Sequence, residues 1–360
     1  MPVTPEDLGL DNLADSIGRL QARKSKWQQA LQKIAKGNGR AVESEQRKLK
    51  AELRKMALEE AESSAQDDLL MATPGVGQEA NINTRDNILS GEFLEIGILT
   101  ARSVCRISQG LKTGTGFLVG NGIVVTNYHV IKTKDEAKSS LFEFLFDDNS
   151  IGTPRSTEMY AADTEQFFWA DKALDICFLS LQGVTDIKTF GWLPLLREEG
   201  KALIGDPTNI IQHPAAEKKR IVVHDSVFTL VENDTDADAF CWYSGDTNQG
   251  SSGSPVLNNR WEVLAVHHKA IPDTDVNGYV LDINGKKIAK ERLDENNAQI
   301  RWLANEGIRV SRIVDKLEAQ TFPDDPSYVE VRDDLLALWA DPLVTDKARR
   351  ASFVGMDKQL

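Results

Sequence analysis

The stretch GDTNQGSSGSPVLN, residues 245–258, holds three glycines, three serines and a proline between two apolar runs. AFCWY (239–243) precedes it and WEVLAV (261–266) follows it, and both runs are typical of β-strands. A plain hairpin loop needs only about two to five residues. This longer loop presents the hydroxyl of Ser252 between Gly250 and Gly253. It favours a serine nucleophile, which needs an exposed hydroxyl beside backbone N–H groups that face the developing oxyanion.

Two upstream stretches supply partners for this hydroxyl. TGTGFLVGNGIVVTNYHV (113–130) predicts a β-hairpin, with His129 after its second strand as a candidate general base. KALDICFLSL (172–181) sets Asp175 at the head of an apolar strand. A carboxylate so close to buried surface is costly unless it accepts a hydrogen bond, and an imidazole N–H suits it. The order His129, Asp175, Ser252 is one of the orders found in serine hydrolases.

Composition excludes several other classes of protein. The chain has 360 residues, with 42 basic and 55 acidic side chains and a net charge of -13. This balance argues against a nucleic-acid binder. No apolar run is long enough for a membrane span, and the N-terminus does not resemble a signal peptide. The cysteines Cys105, Cys177 and Cys241 lie in apolar runs and are expected to be reduced and buried. We therefore expect a cytoplasmic protein.

Residues 1–65 form a predicted helical hairpin, broken by KGNGR (36–40). Its first half carries a heptad seam, and its second half has apolar residues on one face. These positions are Leu10, Leu13, Ile17, Leu20, Trp27, Leu31 and Ile34, and then Val42, Leu49, Leu53 and Met56. Two interpretations stay open: a solvated helical pair packed on the main domain, or a coiled-coil arm for oligomerisation or for docking a regulatory partner.

The rest of the chain is predicted to be mainly β. Residues 66–91 are rich in turn formers and form a predicted linker. Within residues 92–320, FLEIGILTA (93–101) predicts a helix, and short runs such as TGFLV and ALIG predict many strands. Such closely spaced strands suggest a barrel or sandwich. Residues 321–360 are predicted to be a helical extension and a loose tail.

The three motifs together resemble the chymotrypsin-like (trypsin-like, PA-clan) serine peptidases, and most of all the bacterial branch that includes glutamyl endopeptidases. The phrases FLEIGILTARSVCRI, NIIQHP, WEVLAVHH and NEGIRVSRIV extend the resemblance over roughly residues 92–318. It implies two six-stranded antiparallel β-barrels with the site in the crevice between them. It also implies an oxyanion hole made by the N–H groups of Gly250 and Ser252, with no cofactor and no metal.

Rival residues are less suited to these roles. His213 is expected to be a structural histidine at a strand end, and His224 a surface or cross-strand residue. Asp171 is expected to be a solvated loop residue. Ser251 and Ser254 fit the loop as backbone-shaping neighbours of the nucleophile. His267 and His268 are adjacent, so in a strand they point to opposite faces and make a poor metal site.

The sequence leaves the substrate specificity open. By the resemblance, Asp246 stands where an acid selects a basic P1 side chain, and His267 stands where a histidine binds an acidic one. The two residues could also form an ion pair in a pocket for a neutral side chain, or Asp246 could simply cap a turn. Thr247 and Gln249 are the other pocket candidates.

We therefore predict an intracellular serine endopeptidase that cleaves protein or peptide substrates through an acyl-enzyme. Ser251 stands where secreted zymogens of this class carry an activating aspartate, so control by residues 1–65 or by a protein partner is expected instead. The alternatives are a catalytically silent peptide-binding module on a protease fold, and a partner-switched component of a signalling or defence assembly. No nucleic-acid or membrane partner is expected.

Overall fold

The computed structural model describes residues 13–65, 89–183, 190–223, 225–231, 239–289 and 299–340. Its first sheet is a closed barrel with the strand order β1-β2-β3-β6-β5-β4, in which neighbouring strands are antiparallel. The strands are β1 (Val104–Gln109), β2 (Lys112–Gly120), β3 (Ile123–Thr126), β4 (Leu141–Phe144), β5 (Glu158–Asp171) and β6 (Ile176–Leu181). A short helix, α4 (Lys134–Lys138), lies between β3 and β4.

The second sheet has seven strands in the order β8-β7-β11-β12-β13-β10-β9. They are β7 (Asn209–Gln212), β8 (Arg220–Val222), β9 (Phe228–Val231), β10 (Phe240–Tyr243), β11 (Pro255–Leu257), β12 (Val263–Pro272) and β13 (Trp302–Arg309). The predicted mainly β, chymotrypsin-like fold class is thus confirmed.

The second half differs in detail from the predicted six-stranded barrel. It has a seventh strand, β8, at one edge, and irregular backbone joins the start of β7 to β9. There Pro207 bridges Val227, and the Gly205 N–H donates to the Phe228 carbonyl at 2.8 Å. The prediction of ALIG (202–205) as a strand is wrong, because this segment turns and its Leu203 N–H donates to the Asp206 side chain at 2.8 Å.

One apolar core joins the two sheets. It contains Phe117 and Phe178 from the barrel together with Val266 and Ile308 from the second sheet, all of them fully buried. The predicted helix before β1 is present as α3 (Glu92–Arg102), and its Phe93 ring stacks on Trp261 with a centroid distance of 4.8 Å. The position of the two sheets relative to each other is therefore fixed by shared packing.

The helix α1 (Leu13–Ala35) packs on the second sheet, whereas among the described residues α2 (Glu45–Ala65) adds no side chain to the apolar clusters that join α1 to that sheet. Trp27, Ala30 and Ile34 share one face of α1 and are buried against that sheet. The sheet offers this stripe more apolar surface than a second, strongly charged helix can. The predicted coiled-coil seam therefore does not form in the described part of α2, where the side chains of Leu49, Leu53 and Met56 are exposed. Leu10 and the side chains of Leu13, Ile17 and Leu20 lie outside the described residues.

Ion pairs fasten α2 to the second half of the protein. Arg54 pairs with the buried Glu262 at 2.7 Å, and Lys50 pairs with Glu199 at 2.7 Å. Arg47 donates to the Ala202 carbonyl at 2.6 Å. Buried ion pairs of this kind fix geometry more than they add net stability.

The two C-terminal helices lie on different parts of the molecule. The helix α5 (Val310–Glu318) contacts β12 and β13 of the second sheet. The helix α6 (Tyr328–Trp339) contacts β2 and β5 of the first barrel, and its Trp339 indole donates to the Val119 carbonyl at 2.8 Å. The predicted tail beyond residue 340 and most of the predicted linker (66–88) lie outside the described residues. Among the helices described, none is long and apolar enough to cross a membrane.

Candidate active site

The two sheets meet at a loop that carries Ser252. The Thr115 N–H donates to the Ser252 carbonyl at 2.8 Å, and the Thr115 hydroxyl donates to the Gly250 carbonyl at 2.8 Å. The Thr126 hydroxyl in turn donates to the Thr115 carbonyl at 2.8 Å, three residues before His129. The loop of the second sheet is thus tied to the part of the barrel that bears the candidate base.

His129 and Asp175 are neighbours because β3 and β6 pair. Thr126 lies opposite Cys177, so the turn after β3 lies beside the turn before β6. The Asp175 carboxylate accepts two hydrogen bonds from His129, one from Nδ1 at 2.8 Å and one from the backbone N–H at 2.9 Å. This two-point contact fixes both the position and the tautomer of the imidazole, leaving Nε2 for another partner.

The electrostatics of Asp175 follow from its partners. Burial by itself would raise the pKa of Asp175, but the charges and hydrogen bonds of His129 and His268 outweigh burial and hold that pKa below its usual range. The backbone of Asp175 is left-handed, with φ 57°, and the Asn127 side chain donates to its carbonyl at 3.0 Å. Aspartate tolerates this conformation better than most residues. The carboxylate is therefore ionised at neutral pH and firmly held.

The loop geometry leaves two backbone amides available. The Gln249 carbonyl accepts a hydrogen bond from the Ala215 N–H, and the C=O and N–H of a trans peptide point to opposite sides. The Gly250 N–H therefore points away from Ala215. Among the described residues, neither this N–H nor that of Ser252 donates to another backbone group. They are the two amides expected to form the oxyanion hole.

Gly253 is required by a close approach. Its φ is +88°, and a Cβ atom there would lie 1.9 Å from the Thr115 carbonyl oxygen. Only glycine allows the loop to lie so close to the barrel. Ser252 is half-buried beside it, whereas Ser251 and Ser254 are fully buried.

One predicted contact is not formed. In the described part of the chain, the Ser252 hydroxyl makes no hydrogen bond, to His129 or to any other residue. The His129 side chain is 41% exposed, so it lies at the open side of the crevice. Catalytic hydrogen bonds are often long in unliganded enzymes and tighten when substrate binds. The roles of the three residues therefore stay a prediction, with the base and the carboxylate already paired.

The pocket candidates are spread over different environments. Asp246 and Gln249 are exposed. Thr247 donates its hydroxyl to the Asn305 side chain at 2.8 Å. Asp246 forms no ion pair with His267 within the described residues, so the neutralised pair considered above is absent. His267 alone is buried, next to the nucleophile loop, where its carbonyl accepts the Gly253 N–H at 2.8 Å.

Tyr243 controls the state of His267. Its hydroxyl lies 2.6 Å from His267 Nδ1, and both side chains are buried. Burial, with the charges of His268 and His129, lowers the pKa of His267 to about 3. Burial also raises the pKa of Tyr243, which keeps its proton and can donate it to Nδ1. His267 is then neutral at pH 7 and carries its proton on Nε2.

The rival residues occupy other places. His213 is buried, and its Nδ1 lies 3.1 Å from the Glu217 carbonyl. Asp171 accepts the Leu174 N–H at 2.8 Å and makes no contact with His129. His224 lies outside the described residues.

Sequence reasoning missed a second histidine on the candidate catalytic carboxylate. His268 Nδ1 lies 3.1 Å from Asp175 Oδ2, and its Nε2 lies 3.0 Å from Glu306 Oε1. Both His268 and Glu306 are buried. The adjacent histidines His267 and His268 are visible in the sequence, but strand alternation alone places their side chains on opposite faces and gives no sign that His268 turns toward Asp175. Glu306, a carboxylate inside an apolar strand, was the second available signal.

Comparison with known proteins finds similarity to peptidases over the β-rich part of the chain. Residues 114–266 match the family described as "Trypsin-like peptidase domain". The matched segment includes His129, Asp175 and Ser252. The narrower likeness to glutamyl endopeptidases stays a prediction.

Curated relatives share parts of the chain. The chain is 32% identical over 264 residues to the "Uncharacterized protein y4fB" of Sinorhizobium fredii, a match that covers 68% of this chain and 40% of that protein. It is 22% identical over 209 residues to the "Probable periplasmic serine endoprotease DegP-like" of Rickettsia prowazekii, which covers 55% of this chain and 36% of the relative. The chain thus spans less than half the length of these relatives.

Among solved structures, the chain is similar to the inactive form of the Rv3671c protease of M. tuberculosis. The TM-score is 0.40 at 16% identity, over 62% of this chain and 90% of that one.

Proposed function

We propose that this protein is a serine endopeptidase that cleaves peptide bonds through an acyl-enzyme on Ser252. The observation that carries the proposal is the two-point hydrogen bond between His129 and Asp175, at 2.8 and 2.9 Å, beside a loop with two available amides. Base, carboxylate and oxyanion donors come from separate parts of the chain, and a purely structural role explains their convergence poorly.

The geometry supports the following sequence of steps. His129 Nε2 takes the proton of the Ser252 hydroxyl as its oxygen attacks the substrate carbonyl carbon. The N–H groups of Gly250 and Ser252 stabilise the oxyanion, and Asp175 stabilises the imidazolium. His129 then gives the proton to the leaving amine, which departs as the acyl-enzyme forms. A water molecule then attacks the acyl-enzyme, with His129 again as the base, and the ester bond to Ser252 breaks.

The finer part of the proposal concerns the substrate. A neutral His267 with its proton on Nε2 offers one hydrogen bond and no charge. That donor suits an uncharged acceptor, such as the side-chain amide of glutamine or asparagine at P1, better than a lysine or arginine. Asp246 contributes less, because its side chain is exposed and unpaired with His267.

We also propose that the protein works in the cytoplasm and that α1 and α2, or a protein that binds them, control its activity. The three cysteines are buried and none of them forms a disulfide, which suits a reducing compartment. Trp27 on α1 contacts Trp242 edge to face, with ring centroids 6.3 Å apart, and the Trp242 indole donates to Glu306 at 2.8 Å. This contact supports control of the site by α1, because Glu306 contacts His268, and His268 in turn contacts the carboxylate of Asp175.

A peptide-library cleavage profile tests the proposal. The full chain is expected to cut internal bonds after glutamine or asparagine, and Ser252→Ala is expected to abolish cutting. His267→Ala should lower selectivity at P1, while Asp246→Ala, the matched control on the same pocket, should leave it almost unchanged. Cleavage that persists in Ser252→Ala would contradict the catalytic assignment, and a strict preference for lysine or arginine would contradict the pocket assignment.

A second candidate function is a catalytically silent peptide-binding module, and the missing hydrogen bond between Ser252 and His129 favours it. The same library separates the two functions. Binding of peptides by the parent chain without any cleavage would support the silent module.

A further inference from the structure

His268 occupies a β-bulge that turns it toward the triad. In the pairing of β12 with β13, His267 lies opposite Gly307 and Lys269 lies opposite Glu306, so His268 is the extra residue. A bulge of this kind re-aims a side chain and is common beside active sites. The Phe240 ring stacks on the imidazole with a centroid distance of 5.1 Å, which fixes the plane of the ring.

Both ring nitrogens of His268 face carboxylate oxygens. Nδ1 lies 3.1 Å from Asp175 Oδ2, and Nε2 lies 3.0 Å from Glu306 Oε1. When both carboxylates are ionised they can only accept hydrogen bonds, so that both nitrogens then donate and the ring carries a positive charge. The other oxygen of Glu306 accepts the Trp242 indole N–H at 2.8 Å. Glu306 is 0% exposed, so these bonds satisfy a buried charge that would otherwise be very costly.

We propose that His268, held by Glu306, is a positioning residue that anchors the catalytic carboxylate of Asp175 and sets the charge that His129 experiences. This inference rests on the proposed peptidase function. Through His268, Asp175 Oδ2 has a second donor besides His129 Nδ1, which keeps the carboxylate from rotating away from the base. The chain of contacts runs from Glu306 through His268 and Asp175 to His129.

The charges around His268 explain why Glu306 is needed. Asp175 faces it from the start of β6, Glu306 faces it from β13, and His267 and Lys269 flank it on β12. The Lys269 ammonium lies 3.9 Å from Glu306 Oε1. Asp175, His268 and Glu306 together carry one net negative charge, the same as a lone carboxylate. The pair therefore adds a firm anchor without removing the negative charge that stabilises the His129 imidazolium.

Substitution of His268 separates the anchor from the charge. His268→Ala removes both the donor and the positive charge, whereas His268→Gln keeps an N–H donor and removes only the charge. Glu262→Gln is the matched structural control, since Glu262 is a buried and paired carboxylate on the same sheet but contacts Arg54 rather than the triad.

The first measurement is the histidine titration by ¹⁵N NMR of full-length Ser252→Ala protein, with and without each second substitution. Loss of a nearby positive charge favours the imidazolium form, so the midpoint of His129 should rise by about half to one pH unit in both His268 variants. Glu262→Gln should leave it in place. Because this measurement needs no turnover, it tests His268 even if the chain cuts no peptide.

The second measurement is the pH profile of peptide hydrolysis in chains that retain Ser252. In His268→Ala, kcat should fall about tenfold to a hundredfold with KM nearly unchanged, and the acid limb should move to higher pH. His268→Gln should have a higher kcat than His268→Ala, but the acid limb of its pH profile should stay shifted to higher pH. An unmoved His129 midpoint in a folded His268→Gln protein, or the same shift in Glu262→Gln, would overturn the proposal. A shifted midpoint with no hydrolysis by the parent would instead reject the proposed function alone.

Discussion

The two halves of the molecule hold their parts of the site in different ways. In the first barrel, His129 and Asp175 come from adjacent turns of paired strands and bond directly to each other. In the second half, the Ser252 loop is held by backbone contacts to Thr115 and by a sheet on which α1 packs. The base and its carboxylate are thus a local structure, whereas the nucleophile depends on long-range contacts. This difference explains why the His129–Asp175 pair is formed while the bond to Ser252 is not.

The largest effect is expected from breaking the local pair in the barrel. Asp175→Asn turns an acceptor toward His129 into a donor and favours the wrong tautomer, so kcat should fall by about ten-thousandfold. Asp171→Asn, at the other end of the same turn, should change kcat by less than about twofold, because Asp171 does not touch His129. Steady-state peptide hydrolysis measures both. Equal losses in the two variants would mean that the turn, rather than the pair, matters.

The next largest effect is expected from removing the contact between α1 and the second sheet. Trp27 is 8% exposed against the second sheet, whereas Met56 on α2 is 58% exposed. Trp27→Ala should lower the free energy of unfolding by about 3–5 kcal/mol. Met56→Ala should change it by less than about 0.5 kcal/mol. Urea unfolding followed by tryptophan fluorescence and circular dichroism checks this, and a small effect of Trp27→Ala would show that α1 does not support the sheet.

A substitution at the junction of the halves should affect activity more selectively. In Gly253→Ala, the new Cβ would clash with the Thr115 carbonyl and displace the Ser252 loop. A displacement of about 1 Å in an active site costs roughly a hundredfold in kcat. Gly278→Ala has a similar φ of +83° but no atom within 4 Å, so it controls for backbone strain alone. Full activity of Gly253→Ala would mean that this junction does not position Ser252.

The second half should also make the stability of the protein depend on pH. Burial lowers the pKa of both His213 and His267 to about 3, so the unfolded chain binds more protons than the folded one below its ordinary histidine pKa of about 6.5. Stability should therefore fall as the pH falls from 6.5 toward 3, by up to about 1.4 kcal/mol per pH unit for each histidine. Urea unfolding at pH 7, 6, 5 and 4 measures the slope.

A substitution of His213 tests whether this histidine causes part of the pH dependence of stability. His213→Gln should remove the share of one histidine, because glutamine does not take up a proton. A slope unchanged in this variant would show that His213 is not neutral in the folded protein. Asp175 affects the pH dependence of stability only at lower pH. Because its pKa is lowered in the folded protein, the stability that it contributes is lost as the pH falls toward and below the usual pKa of an aspartate.

Local chemistry in the sequence predicted the parts of the site that depend on local structure. The hairpin before His129 predicted that this residue follows a strand. The apolar run after Asp175 predicted that this residue precedes one. The run FLEIGILTA predicted α3. In contrast, the sequence does not predict β5 as a strand. Polar residues interrupt its apolar pattern between Asp163 and Phe168, where its pairing with β6 also shifts register. ALIG was read as a strand, although tertiary contacts turn it.

The long-range parts of the site could not be predicted from spacing. The bulge that aims His268 at Asp175 depends on the register of β12 against β13, which the sequence does not show. The seam on α1 was visible, but its partner proved to be the second sheet rather than α2. Glu306 lies in the strand-like run NEGIRV and carries the same signal as Asp175, because a carboxylate beside buried surface needs a partner.

The most direct test of the account is the site at which a fluorophosphonate attaches to the protein. The reagent reacts only with a serine whose proton a neighbouring base removes, so peptide mapping by mass spectrometry should place one adduct on Ser252. The adduct should be lost in His129→Ala and kept in Ser254→Ala. An adduct on Ser251 or Ser254, or labelling of Ser252 that survives His129→Ala, would contradict the claim that these two halves together form a catalytic site.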